Sequence, residues 1–291
     1  MTYSLSSMYV MFNMATRVIS ALIGIVFAVG CLFLHNTLIF NLAVSAISVI
    51  MIHELLSACG CMKHKGHVFV CYAFTAVMPF LVEIDDMRIK YIFATVCLFA
   101  MFCGYIGSHQ KLTFDRLCFM ITITLSVALS MSCIVSLKNL SNIHGVCYVI
   151  LALAGAWLGD SGAFFVGTFL GKHKLCPNIS PKKTIEGAIG GVITVGIVFA
   201  VYAFFYQMVQ NARGIDFTIN YLLLICIGFV CGILGIIGDL CASLLKRQHE
   251  LKDFGKIMPG HGGLMDRFDS VLFVLPFMTF ILSSINIFID K

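Results

Sequence analysis

Asp239, Asp266 and Asp269 are the residues of this chain whose type and spacing point most directly to chemistry. Asp239 closes an apolar helical segment, and Asp266 and Asp269 open the next, three residues apart, a separation that places two helical side chains on one face. Carboxylates gathered from such neighbouring stretches make an oxygen cage for Mg²⁺, which takes few protein oxygens and completes its shell with water and substrate phosphates. Lys246, Arg247 and Arg267 stand in the same stretch. There Arg would grip phosphate oxygens through its planar fork, and Lys would act as a point charge. His261, with Gly262 and Gly263 after it, sits in a glycine run that lets backbone approach a phosphate, with the imidazole as a further donor. A merely wet loop accounts for Glu250 and Lys252. It accounts poorly for Asp239 and Asp266, because a carboxylate at a membrane border is costly without a partner.

A second polar stretch runs Gly159-Asp160-Ser161-Gly162, then Gly171-Lys172-His173-Lys174, then Ser180-Pro181-Lys182-Lys183-Thr184-Ile185-Glu186-Gly187. Ser180 followed by Pro181, with Glu186 beyond, predicts a capped helix start with proline at the first helical position. Helix N-termini bind anions, and Lys182 and Lys183 would add charge there. A plain cap with loop lysines explains the same residues. Asp160 lies in an otherwise apolar segment, which makes it a candidate for substrate binding.

The elements that must position these residues follow from composition. Of 291 residues, 60% are hydrophobic and 11% charged, with mean hydropathy +0.99. Soluble domains carry about 25% charged residues, so this chain cannot wet its own surface as a globule, and disorder is excluded by the same excess of apolar side chains. Nine apolar segments are marked at 18–34, 37–52, 68–82, 91–107, 117–137, 146–170, 188–209, 219–238 and 271–289. They are continuous and not alternating, which favours helices over a β-barrel. The expected fold is an all-α polytopic membrane protein of about nine transmembrane helices with short loops. Some helices are expected to be broken, the sixth at Gly159–Gly162. The first segment lacks a small-residue cleavage site and is read as a retained helix. Residues 1–145 form the N-terminal membrane helices and 146–291 the catalytic region, within one integral unit. With the N-terminus in the cytoplasm, 14 of 19 Lys and Arg fall on the inner side, leaving Arg88, Lys90, Lys138, Arg213 and Lys291 outside. This bias predicts nine spans, the C-terminus outside, and both polar loops facing the cytoplasm. The thirteen cysteines lie mostly inside apolar runs and define no disulfide framework.

Taken in order, the motifs resemble a known family. Ser243-x-x-Lys246-Arg247, Lys252-Asp253-x-Gly255 and Pro259-x-His261-Gly262-Gly263-x-x-Asp266-Arg267-x-Asp269 look like the signature of the phosphatidate cytidylyltransferase family, also called CDP-diacylglycerol synthases. The Gly159–Phe165 and Ser180–Gly187 stretches resemble its second motif. The resemblance is specific over residues 157–270 and diffuse before them. Met258 replaces the usual Ile, Leu or Phe, and Ile185 replaces a common Trp; both positions stay apolar. The resemblance implies a Mg²⁺-dependent reaction of CTP with phosphatidate in the cell's inner membrane, giving CDP-diacylglycerol and pyrophosphate, with no nucleic-acid partner. It implies metal at Asp239 and Asp266, with Asp269 as a further member and room for a second cation. Phosphates would be held by Lys246, Arg247, Arg267 and the Ser180–Lys183 turn. It also implies a homodimer.

Other readings compete. A transporter lined by Asp160 and Asp239 should show charges at mid-span and repeated halves, and neither is visible. A related enzyme acting on another lipid phosphate, such as an isoprenoid ether phosphate, shares every motif residue. Cys59-x-Cys61-x₂-His64-x₂-His67 has zinc-type ligands at spacings tighter than the usual finger pattern, and packing is the favoured reading. His53-Glu54 reads as polar packing in preference to lipid headgroup contact. Trp157, Tyr72, Tyr91 and Tyr148 fit interfacial anchoring or packing, not base stacking.

Overall fold

The computed structural model describes residues 19–290 except 21, 25, 109 and 261, so Arg17, His261 and Lys291 lie outside the described residues. Ten helices run in order: α1 (Leu22–Phe33), α2 (Leu38–Ala58), α3 (Lys65–Leu81), α4 (Met87–Gly107), α5 (Phe114–Asn139), α6 (Gly145–Leu170), α7 (Ile185–Ala212), α8 (Tyr221–Gln248), α9 (Met265–Phe268) and α10 (Val271–Ser284). Two antiparallel strand pairs accompany them, β1 (Lys174–Cys176) with β2 (Ser180–Thr184), and β3 (Phe217–Ile219) with β4 (Phe288–Asp290). The chain is an all-α polytopic membrane protein. Among the described residues six helices, α2 and α4 to α8, are long and apolar enough to cross a membrane, while α1, α3 and α10 are apolar but shorter. These nine helices fall one for one on the nine apolar segments. The lipid-facing character is clearest in α4, where Ile92, Val96, Phe99 and Ile106 are all exposed.

Two expectations are corrected. The sixth segment is not broken: α6 is one continuous 26-residue helix through Gly159, Asp160 and Gly162. Its glycines serve close packing on α7, since a Cβ at Gly162 would overlap the Thr194 side chain and one at Gly159 would lie 3.0 Å from Val195. Nor does a helix start at Ser180. Residues Ser180–Thr184 form β2, and α7 begins at Ile185 with Thr184 as its cap, the Thr184 hydroxyl accepting the Gly187 N–H at 3.1 Å. The backbone pairing of β2 with β1 keeps Pro181 extended. Glu186 turns back to accept the amides of Lys172 and His173, tying Gly171–His173 to the start of α7.

The chain divides into two compact units, one of residues up to Ala128 with His249–Arg267, the other of Leu129–Gln248 with Phe268 onwards. The loop after α8, with most of α9, therefore groups with the N-terminal helices. In the first unit α2 packs on α3, and α3 on α4, around Met51, Ile52, Leu55 and Leu56 of α2, with Phe74 of α3 stacked on Phe93 of α4 at 5.7 Å. Ser45 of α2 donates to the Ala76 carbonyl of α3 at 2.6 Å, a polar tie of the kind membrane helices use.

In the second unit α6, α7, α8 and α10 pack around Phe199, Val195, Cys231 and Val274. Its far end is capped by rings: His144 lies 4.8 Å from Phe217 and 4.6 Å from Phe288, and Tyr148 stacks on Phe288 at 5.5 Å. The antiparallel α7–α8 register is set by glycine. A Cβ on Gly228 would lie 3.0 Å from the Gly196 Cα, and one on Gly232 would lie 2.8 Å from the Val192 Cα. Four residues forward on α8 match four back on α7, so the same register brings Asp239 opposite the start of α7. Gly228→Leu is expected to force these helices apart at a cost of roughly 1–3 kcal/mol or more. Thermal unfolding of the variant in detergent, compared with the parent, checks this; an unchanged midpoint contradicts the register.

Candidate active site

In the second unit the register delivers Lys183 of β2 to Asp239 of α8. The two form an ion pair, Nζ to Oδ2, with both side chains about a quarter exposed. Successive strand side chains point to opposite faces, so Lys183 turns inward while its neighbour Lys182 is exposed. Ser180 is half-buried in the same strand. At the C-terminal end of α8, Arg247 Nε donates to the Ile179 carbonyl at 3.4 Å, tying that end to the β1–β2 hairpin.

Two more carboxylates converge on this pair. Asp269, buried in the turn between α9 and α10, accepts the Ser270 N–H at 2.8 Å. The Ser270 hydroxyl donates to Asp160 Oδ2 of α6 at 3.0 Å. Gly238 permits this approach, since a Cβ there would meet the Asp269 carbonyl at 2.7 Å. Burial, and next the Asp239 charge, push the Asp269 carboxyl up to about 7, with Asp160 adding to the rise. The Ser270 amide and Lys246 pull the other way. The unit thus gathers Asp160, Asp239 and Asp269 with Lys183 and Lys246. Sequence reasoning missed Ser270, because a serine carries no signal until the fold aims it.

In the first unit Asp266, also buried, takes up loop amides: its Oδ2 accepts the Phe254 N–H at 2.9 Å and the Gly263 N–H at 3.0 Å. The Gly263 amide is therefore turned to Asp266. The loop folds on itself through the Met258 N–H to Gly262 carbonyl bond at 3.0 Å. Gly260 and Gly262 adopt left-handed φ of 77° and 86° that the hairpin requires. Arg267 is exposed. Helix α9 ends at Phe268, so Asp269 lies beyond the helix that was expected to align it with Asp266.

Glu54 of α2, read from the sequence with His53 as polar packing, has its partner in this loop. It is 3% exposed, and its Oε2 accepts the Met265 N–H at 2.8 Å. Its neighbour His53 turns elsewhere, to the Tyr72 hydroxyl at 2.7 Å. A carboxylate just past the end of an apolar segment was the available signal.

Among the described residues no group of three or more His, Cys, Asp or Glu is arranged to hold a metal ion. In Cys59-x-Cys61-x₂-His64-x₂-His67 burial pushes the Cys59 thiol up to about 12 and raises that of Cys61, while His67 Nε2 lies 3.2 Å from the Met101 carbonyl. Burial thus works against the thiolates that zinc binds. The Asp239–Asp269 pair suits a different ion. Mg²⁺ needs only one or two hard protein oxygens, and a cation would relieve the charge of Asp239 beside the buried Asp269.

With this geometry in place the comparisons fall into line. Residues 15–285 match the model of the cytidylyltransferase family, and the chain belongs to that family. It is similar to the phosphatidate cytidylyltransferase of Bacillus subtilis, 40% identical over 171 residues, covering 59% of this chain and 60% of that protein. The Staphylococcus haemolyticus protein of the same name is 46% identical over 138 residues, covering 47% and 50%. That of Staphylococcus aureus strain COL is 42% identical over 139 residues, covering 48% and 50%. The chain thus spans between half and three-fifths of the length of the curated relatives it matches.

A carboxyl with a raised folded-state pKa binds more protons folded than unfolded, between its ordinary value of about 4 and about 7. Stability therefore falls as pH rises through that window. Asp269→Asn is expected to flatten this fall, gaining several degrees of thermal midpoint over the parent above the window and almost none below it. Scanning fluorimetry in detergent without divalent metal reads the difference.

Proposed function

We propose that the chain transfers the cytidylyl group of CTP to phosphatidate, giving CDP-diacylglycerol and pyrophosphate. The observation that carries this reading is the Lys183–Asp239 ion pair at the polar end of apolar helices, bordered by Asp160, Asp269 and Lys246. Family membership and the activity for which its relatives are named support it. A nucleotide triphosphate arrives from water as a polyanion, and a lipid phosphate stays at the membrane border. A site serving both needs cations and metal-binding carboxylates at that border.

In this reading a phosphatidate oxygen attacks the α-phosphorus of CTP. A new P–O bond forms there, the bond to the β-phosphate bridging oxygen breaks, and pyrophosphate leaves. Phosphatidate brings its own anionic oxygen, so no protein base is required. Positioning and charge neutralisation carry the catalysis. Asp239 and Asp269 would hold Mg²⁺, which when bound neutralises charge on the nucleotide phosphates. Lys183 would exchange its carboxylate partner for a phosphate oxygen once substrate enters, with Lys246 and Arg247 a turn or two further along α8 taking the outer phosphates. Ser180, Lys182 and Asp160 are assigned to substrate binding. Asp266 as a metal ligand, and His261, Gly262, Gly263 and Arg267 as phosphate contacts, rest on the family resemblance alone. So do a second cation and a homodimer. The lysine-rich loops would face the cytoplasm of a cell's inner membrane.

Purified protein in detergent is expected to release pyrophosphate from CTP only when both phosphatidate and Mg²⁺ are present, with dATP and lipid-free mixtures as controls. Asp239→Asn should lower turnover by about a hundredfold or more at similar folded yield. Near-normal activity in that variant removes the metal assignment. Turnover only with an isoprenoid ether phosphate would keep the enzyme class and change the lipid.

A further inference from the structure

Glu54 lies some two hundred residues before the loop it touches and belongs to none of the motifs. Its carboxylate is buried in a segment where an uncompensated charge is expensive. The compensation comes from the loop between Phe254 and Asp266. Met265 donates its N–H to Oε2 at 2.8 Å. Gly255 and Gly263 flank the same carboxylate so closely that a Cβ on Gly255 would overlap Oε1, and a Cβ on Gly263 would lie 2.5 Å from Oε2. On the other side of the loop Asp266 takes the Phe254 and Gly263 amides. Two buried carboxylates therefore hold one glycine-rich loop from within by three backbone amides, and both glycines are where a side chain would collide with Glu54.

A carboxylate of this kind does more than fill space. An apolar residue of equal size would pack against the loop but leave the Met265 amide buried and unpaired, and the residue after Met265 is Asp266. We propose that Glu54 is a positioning residue: its buried carboxylate fixes the Gly255–Met265 loop, and so the placement of the phosphate-binding groups that follow, without touching substrate. This rests on the cytidylyl-transfer reading for its kinetic consequences, though not for its structural ones.

The test compares Glu54→Leu, Glu54→Gln and Gly255→Ala with the parent. Gln keeps a side-chain oxygen for the Met265 amide, whereas Leu removes it. Glu54→Leu is expected to raise KM for CTP roughly tenfold to a hundredfold, with KM for phosphatidate changed less than about twofold. Glu54→Gln should restore most of the CTP affinity. Gly255→Ala should reproduce the Leu phenotype with the charge intact, and Glu54→Asp, which is shorter, should partly rescue it in the double variant. That cycle keeps the idea falsifiable if Glu54→Leu fails to fold. A folded Glu54→Leu with parental kinetics overturns the proposal. So does a parallel loss of kcat and of both KM values that tracks thermal stability, or the absence of rescue by Asp. If the parent protein shows no cytidylyl transfer at all, the functional reading fails by itself. Trypsin cleavage at the exposed Lys252 and Lys256, faster in Leu than in Gln, then still decides whether Glu54 fixes the loop.

Discussion

The Lys183–Asp239 ion pair is the contact on which the second unit turns. A carboxylate near the end of an apolar helix loses most of its hydration, and a lysine aimed at it restores the balance while both side chains keep some contact with water. The pair can form because β2 is extended, which places Lys183 and Lys182 on opposite faces, and because glycines let α7 and α8 run close enough for the register to reach Asp239. Asp160 and Asp269 then add negative charge that a single lysine and the more distant Lys246 cannot fully offset. Burial first, and then this surplus, raise the proton affinity of Asp269. In the proposed reading such a site would take a divalent cation and the phosphates that accompany it.

The first unit solves a different problem by similar means. Its loop is rich in glycine and would be floppy by composition, since glycine gives up more backbone freedom on folding than any other residue. Glu54 and Asp266 remove that freedom from inside. The polar groups they satisfy are backbone amides. Each unit therefore spends buried carboxylates on geometry as well as on charge.

Much of this was legible beforehand. The continuous apolar runs announced the helices, because a bilayer tolerates little else, and Asp160, Asp239 and Asp266 drew notice as charges in costly places. Three features were not legible. Ser180-Pro181 mimics a helix start, and only the pairing of β2 with β1 overrides it. Gly159 and Gly162 read as a break, because glycine in isolation signals flexibility, whereas here each admits a neighbouring helix. Glu54 carried a signal of cost but not of destination, and its partners lie at the other end of the chain. Local propensity identifies elements well and says little about which distant backbone a buried charge will meet.

Helix α10 carries one more implication. Its 14 residues rise about 21 Å, against roughly 42 Å for the 28 residues of α7 or α8, and a hydrocarbon core is about 30 Å thick. The acidic turn is fastened to the start of this short rod, and the β3–β4 ribbon satisfies the extended backbone beyond its other end. Where lipid meets a helix this short, thinning of the bilayer is one way the mismatch is met. Thinning of that kind would bring headgroups toward Asp269 and Ser270, and would make bilayer thickness a physical variable in how far a lipid travels to reach the carboxylates.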